Sequence, residues 1–178
     1  MSAISTVKSE CSPLNLAAAE PAELVFFTTL MISAPREKVF SLWTEPSRMA
    51  QWRMPEGFTV HTCEMDMRTG GNYRLVMRSP NSIKHTLKGR FLEVSGPDRL
   101  VFTDNWEELP IDWHLINPNA KHVPAREAVN IVTFEDLAGI TLLKVRTVFE
   151  SVALHREMVK RDMHESWCAI LKRLADRF

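Results

Sequence analysis

A tyrosine, a histidine and an aspartate are the residues of this 178-residue chain best suited to acid–base chemistry: Tyr73, His85 and Asp104. Each lies in a segment of alternating apolar and polar character, where successive side chains of a strand point to opposite faces. If the three converge, His85 could act as a general base oriented by Asp104 while Tyr73 polarises a carbonyl. Those residue types suit aldol-type cyclisation or hydration. A single inward histidine is more often a hydrogen-bonded core residue, so the simpler reading makes the three side chains polar tips in an apolar lining. Other chemistries lack their residues. The chain has no P-loop, GxGxxG, GxSxG or HExxH. Its six histidines are scattered, and His155 and His164, nine apart, fall on nearly opposite sides of a helix. Neither a metal nor another cofactor is expected.

Pleating sorts the neighbours of these three. With Tyr73, Leu75 and Met77 turned toward a core, His85, Leu87 and Phe91 share their face, and Phe102, Asp104 and Trp106 fall beside them. Thr147 is a fourth polar tip. An apolar lining with a few polar groups is what a small-molecule cavity requires. The alternative is a core filled by the same side chains. On the opposite face Arg74, Arg78, Lys84, Lys88 and Arg90 form a basic stripe. No aromatic residue interleaves it, so it reads as a solvated face rather than a nucleic-acid surface. Trp43 is expected as a core anchor, and Trp52 and Trp167 at the cavity mouth. The expected ligand-binding set is Trp52, Tyr73, Met77, His85, Leu87, Phe102, Asp104, Trp106, Met163 and Trp167.

These residues need elements to hold them. Residues 23–33, rich in aromatic and β-branched types, read as a strand. Pro35 at the first helical position, with Val39, Phe40 and Trp43 spaced three to four apart, gives a short helix. Thr44 as N-cap and Pro46 just inside start a second one running toward Trp52. Alternation and turn residues then give strands over 58–65, 72–78, 83–94, 100–106, 128–134 and 140–149. A long amphipathic helix over 152–177 closes the chain, with Val159, Met163, Trp167, Ile170, Leu171 and Leu174 on its apolar face. Short turns make successive strands antiparallel, and only the last helix is long enough to cover one face of the sheet.

The remaining sequence sets limits. Residues 1–20 read as a flexible arm and 21–178 as a single domain. Segment 107–126 lacks periodicity but carries Trp113, Leu115 and Ile116, and reads as a lid or a surface for homodimer formation. Twenty-two basic and 22 acidic residues cancel, which removes any bulk pull toward nucleic acid or an anionic membrane. No apolar run approaches the roughly 18 residues of a membrane span. Cys11, Cys63 and Cys168 are odd in number and far apart, a pattern suited to free thiols in a reducing cytoplasm.

Several stretches together carry a resemblance. They are Ile32-Ser-Ala-Pro-Arg-Glu-Lys-Val-Phe, Trp43-Thr-Glu-Pro, Gln51-Trp52, Gly70-Gly71-Asn-Tyr73-Arg74, Arg99-Leu-Val-Phe-Thr103 with Trp106, and Val132-Thr-Phe-Glu. In this order and spacing, over roughly residues 24–177, the chain resembles the family named for activators of the heat-shock protein 90 ATPase. That family belongs to the superfamily of START, polyketide-cyclase and birch-pollen-allergen-like domains. The resemblance implies an α+β helix-grip fold, with a curved antiparallel sheet of about seven strands around the C-terminal helix. It implies no family-wide catalytic residues. Where family members often carry glycines, this chain has Asp162-Met163 and Ser166-Trp167, which predicts a stiffer helix. The expected function is non-catalytic binding of a small hydrophobic molecule. The alternatives are a co-chaperone module that stimulates a heat-shock chaperone ATPase, and a cyclase or hydratase.

Overall fold

Strict alternation over 127–134 and 141–149 builds two adjoining strands of the fold. In the computed structural model, which describes residues 24–105, 127–160 and 163–178, strand β6 (Glu127–Asp136) buries Ala128, Asn130, Val132 and Phe134. Strand β7 (Thr141–Phe149) buries Thr141, Leu143, Val145, Thr147 and Phe149. Between them Ala138 and Gly139 take positive φ values of 56° and 89°, and the Gly139 amide donates to Asp136 Oδ1 at 3.0 Å, which closes the turn. Strands β1 (Val25–Ile32), β2 (Thr59–Met65), β3 (Asn72–Arg78), β4 (Lys84–Ser95) and β5 (Arg99–Asn105) complete a seven-stranded sheet. The order is β1-β7-β6-β5-β4-β3-β2, and every pairing is antiparallel. The expected helix-grip architecture is the observed one. β5 is the central strand, buried on both faces from Leu100 to Asp104.

Helices α1 (Arg36–Thr44) and α2 (Pro46–Met49) follow β1. Pro35 sits at the N-cap of α1 rather than inside it. Thr44 is not the cap of α2. Its hydroxyl bonds back to the Phe40 carbonyl at 3.2 Å, which satisfies it within α1, and Glu45 precedes α2 instead. The chain leaves α2 in a tight turn in which the Trp52 and Arg53 amides both donate to the Met49 carbonyl.

The C-terminal segment forms two helical stretches, α3 (Val152–Lys160) and α4 (Met163–Ala175). Leu154 and Met158 of α3 are buried, and so are Met163, Trp167, Ile170, Leu171 and Leu174 of α4. Val159, expected on the apolar face, is 53% exposed, since the first stretch buries Leu154 and Met158 instead.

Trp43 is the core anchor expected of it. It is fully buried, with Trp52 at 4.6 Å between ring centroids, Phe134 at 6.1 Å and Trp167 stacked at 6.5 Å. Cys63 is a free thiol, whereas Cys168 is disulfide-bonded, which corrects the expectation of free thiols throughout. Sequence separation does not bar a bond between residues that folding brings together. Residues 1–20, with Cys11, and segment 107–126 lie outside the described residues, as does Trp106. Among the described residues no helix is long and apolar enough to cross a membrane.

Candidate functional site

The site begins with a side chain forced inward. Met49, Trp52 and Arg53 share one face of the turn after α2, at spacings of three and four, and all three are buried. The Trp52 indole is pinned in the core, its Nε1 donating to the Leu42 carbonyl at 2.9 Å. That anchor carries the adjacent Arg53 into the fold, where its Nη2 meets Asp104 Oδ2 at 2.8 Å. Both side chains of this ion pair are more than nine-tenths buried, at 7% and 4% exposure. The guanidinium lies 4.3 Å from the Trp167 ring centroid and 5.7 Å from that of Phe102. A desolvated cation over an indole contributes about 2 kcal/mol.

Asp104 reaches this position by pleat parity, since Leu100, Phe102 and Asp104 alternate on the inner face of β5. Its other oxygen, Oδ1, accepts from the Tyr73 hydroxyl, which also lies 2.9 Å from the Thr103 carbonyl. Burial, and after it the Asp104 carboxylate, hold the Tyr73 phenol well above its ordinary value, so it stays a neutral donor. Tyr73 can lie flat here because its register partner on β4 is Gly89. A Cβ at Gly89 would fall 1.7 Å from the Thr103 carbonyl oxygen and 2.5 Å from Tyr73 Cε1. The β4–β5 register shifts just beyond, between Phe91 and Glu93.

Above this buried Tyr73–Asp104–Arg53 unit opens a cavity of about 350 Å³. The linker after α2 contributes Met54, Pro55 and Phe58, and β3 and β4 contribute Met77, His85, Thr86 and Leu87. Met158 of α3 and Met163, Ser166, Trp167 and Ile170 of α4 close the far side. Arg173 Nη2 donates to the Met54 carbonyl and Arg177 Nη2 to the Gln51 carbonyl at 2.7 Å, so α4 and the turn after it hold the linker at the cavity edge.

Of the residues expected here, Met77, His85, Leu87, Asp104, Met163 and Trp167 line the cavity together. Tyr73 and Phe102 stand behind it, one bonded to Asp104 and the other beside Arg53. Trp52 is not at the mouth. It is fully buried, because its indole N–H finds the Leu42 carbonyl inside the core. Thr147 lies away from the cavity and donates to Asn130 Oδ1 at 2.7 Å. Arg53 was not anticipated, although a basic residue four after Met49 on an apolar helical face was a readable signal.

The acid–base trio is not assembled. His85 makes no hydrogen bond to Asp104, whose two oxygens are held by Arg53 and Tyr73. The His85 ring packs against Phe58 instead, at 5.3 Å between centroids. Cys63 offers no thiolate, since burial and then Glu64 push its thiol to about 11. Among the described residues no cluster of three metal-ligating side chains occurs. On the outer face Arg74, Lys88 and Arg90 stand among Glu64, Asp66 and Glu127 along an open groove, so this part of the stripe is mixed in charge, while Arg78 and Lys84 pair in register at its other end.

Comparison with known proteins agrees with this architecture. A protein from Nitrosomonas europaea has the same fold at a TM-score of 0.73, with 22% identity over 88% of this chain and 95% of that one. A Mycobacterium smegmatis protein superposes at 0.71, with 16% identity over 93% of this chain and 97% of that one. An AHSA1-like protein from Aeromonas hydrophila superposes at 0.62, with 17% identity over 85% and 90% of the two chains. No curated protein matches the sequence. The family described as Activator of Hsp90 ATPase homolog 1-like protein matches residues 33–178, and to that family the chain belongs.

Proposed function

We propose that the protein binds a small, largely apolar molecule, without chemical change, in the cavity between the sheet and the C-terminal helices. The observation that carries this reading is the cavity itself. Protein interiors pack as densely as organic crystals and leave few voids larger than a water molecule. A space of about 350 Å³ is within the range of small-molecule sites, roughly 300–1,000 Å³. Four of its lining residues, Met54, Met77, Met158 and Met163, are methionines, whose flexible thioethers fit contents of varied shape. A screen of fatty acids, sterols and aromatic polyketides tests the reading. A ligand should change Trp167 emission and raise the melting temperature by mass action. Silence in both signals across the screen argues that the space is closed to these classes.

A second reading, a co-chaperone that stimulates a heat-shock chaperone ATPase, is favoured by the family match over residues 33–178. The comparisons speak for it more directly than for the ligand reading, which rests on geometry. The ATPase rate of an Hsp90-class chaperone with and without this protein separates the two. Stimulation that persists with the cavity blocked supports the co-chaperone, and an unchanged rate counts against it.

A further inference from the structure

Given the cavity reading above, the pairing of Arg53 bears on the head group of the ligand. A guanidinium carries several in-plane N–H donors and usually meets a carboxylate with two of them side by side. Arg53 does not. Asp104 Oδ2 is the one acceptor it meets among the described residues, through Nη2 at 2.8 Å. The second carboxylate oxygen accepts from the Tyr73 hydroxyl, which keeps the carboxylate turned so that only Oδ2 meets Arg53. Tyr73 is in turn fixed by the Gly89 backbone beneath its ring, so the carboxylate is held by the sheet rather than free to turn toward Arg53. The guanidinium faces are spoken for by Trp167 at 4.3 Å and Phe102 at 5.7 Å. What remains is its edge, and Arg53 lines the cavity.

We infer that the cavity takes an amphiphilic carboxylic acid, with its apolar body against Met77, Met158 and Met163 and its carboxylate on the unused edge of Arg53. Two features favour an acid over a neutral ligand. A planar fork with two parallel donors matches a carboxylate, and hydrogen bonds from a charged donor to a charged acceptor are about twice as strong as neutral ones. The apolar walls around the fork strengthen that interaction relative to water. The ligand so described is a compact aryl or medium-chain carboxylic acid rather than a sterol or hydrocarbon.

The experiment pairs ligands that differ only in the head group: naphthoate with naphthalenemethanol, and decanoate with decanol. Each is titrated calorimetrically into the full-length protein. Each acid should bind tighter than its alcohol by about tenfold or more, as expected for a charge-assisted hydrogen bond. The acid-to-alcohol ratio should fall to near one in the double variant R53M/D104L, which removes both charges and leaves no orphaned carboxylate. Equal affinities for acid and alcohol in the wild type overturn the head-group assignment and leave the cavity reading standing. Binding of neither member of either pair overturns the head-group assignment and leaves the cavity reading to the wider screen of sterols and polyketides. An acid preference that survives in the double variant places the carboxylate elsewhere and also overturns the assignment. Should that variant not fold, the wild-type comparison decides alone.

Discussion

Replacing Tyr73 by phenylalanine removes one oxygen and no carbon, so it tests the buried polar unit with little change in packing. The ring keeps its neighbours, Phe91 at 5.6 Å and Phe102 at 6.0 Å between centroids, and its seat over Gly89. What is lost is the donor to Asp104 Oδ1. A hydrogen bond to a charged group contributes about 1.5–3 kcal/mol, and no cavity cost adds to it. For a chain of this size each kcal/mol lowers Tm by roughly 2–4 °C, so a fall of about 3–12 °C is expected. Urea unfolding at neutral pH should show the same loss at an unchanged m-value. The pH dependence adds a second check. The folded-state value of Tyr73 lies above its ordinary 10.0, so the stabilisation is full below about pH 10 and is lost as pH rises through the folded value. The difference between wild type and Tyr73→Phe should therefore be flat from neutral pH to about 10 and shrink above it. A Tyr73→Phe protein within about 0.5 kcal/mol of wild type would refute the claim that this hydroxyl holds Asp104 in place.

Other consequences can be checked separately. Gly89→Ala should destabilise by about 1–3 kcal/mol or more, because its Cβ would meet the Thr103 carbonyl at 1.7 Å; chemical denaturation reads this directly. Arg173→Gln should speed amide exchange across 51–58 while leaving exchange in β6 and β7 unchanged, since Arg173 donates to the Met54 carbonyl. Cys63 should alkylate far more slowly than a model thiol at pH 8, and the rate should rise toward pH 11 where its thiol ionises. Trp167→Ala should weaken ligand binding and, through lost packing on Trp43, destabilise by about 3–5 kcal/mol.

The sheet was legible because its signal is local. Alternation over 72–78 and 140–149 can satisfy only one pleat, and the turns at Gly70-Gly71 and Gly139 separate strands too closely for anything but antiparallel pairing. The phase of the last helix was not legible from apolar periodicity alone, because Val159 fits the stripe of Met163 and Trp167 until Leu154 and Met158 are seen to be the buried pair. Inward parity found Met77, His85, Leu87 and Asp104, but parity says nothing of reach across the fold. Arg53 and Asp104 are 51 residues apart, and what joins them is the cost of burying either charge alone, about 3–5 kcal/mol. An inward aspartate on a central strand implies a counter-charge, yet the sequence holds 22 basic residues and no rule to choose among them. Trp52 was misplaced for a related reason, since its indole partner is a backbone carbonyl that no side-chain pattern reveals.

Methionine-methyl NMR under xenon pressure tests most directly whether the space between sheet and helices is open. Xenon enters dry apolar cavities whatever their natural ligand. Met54, Met77, Met158 and Met163 all line the cavity, whereas Met31, 48% exposed on β1, serves as an outside reference. An open cavity predicts saturable shifts in the four and only a linear pressure response at Met31. A response no larger in the four than at Met31 would mean that side chains fill the space, and would contradict the account.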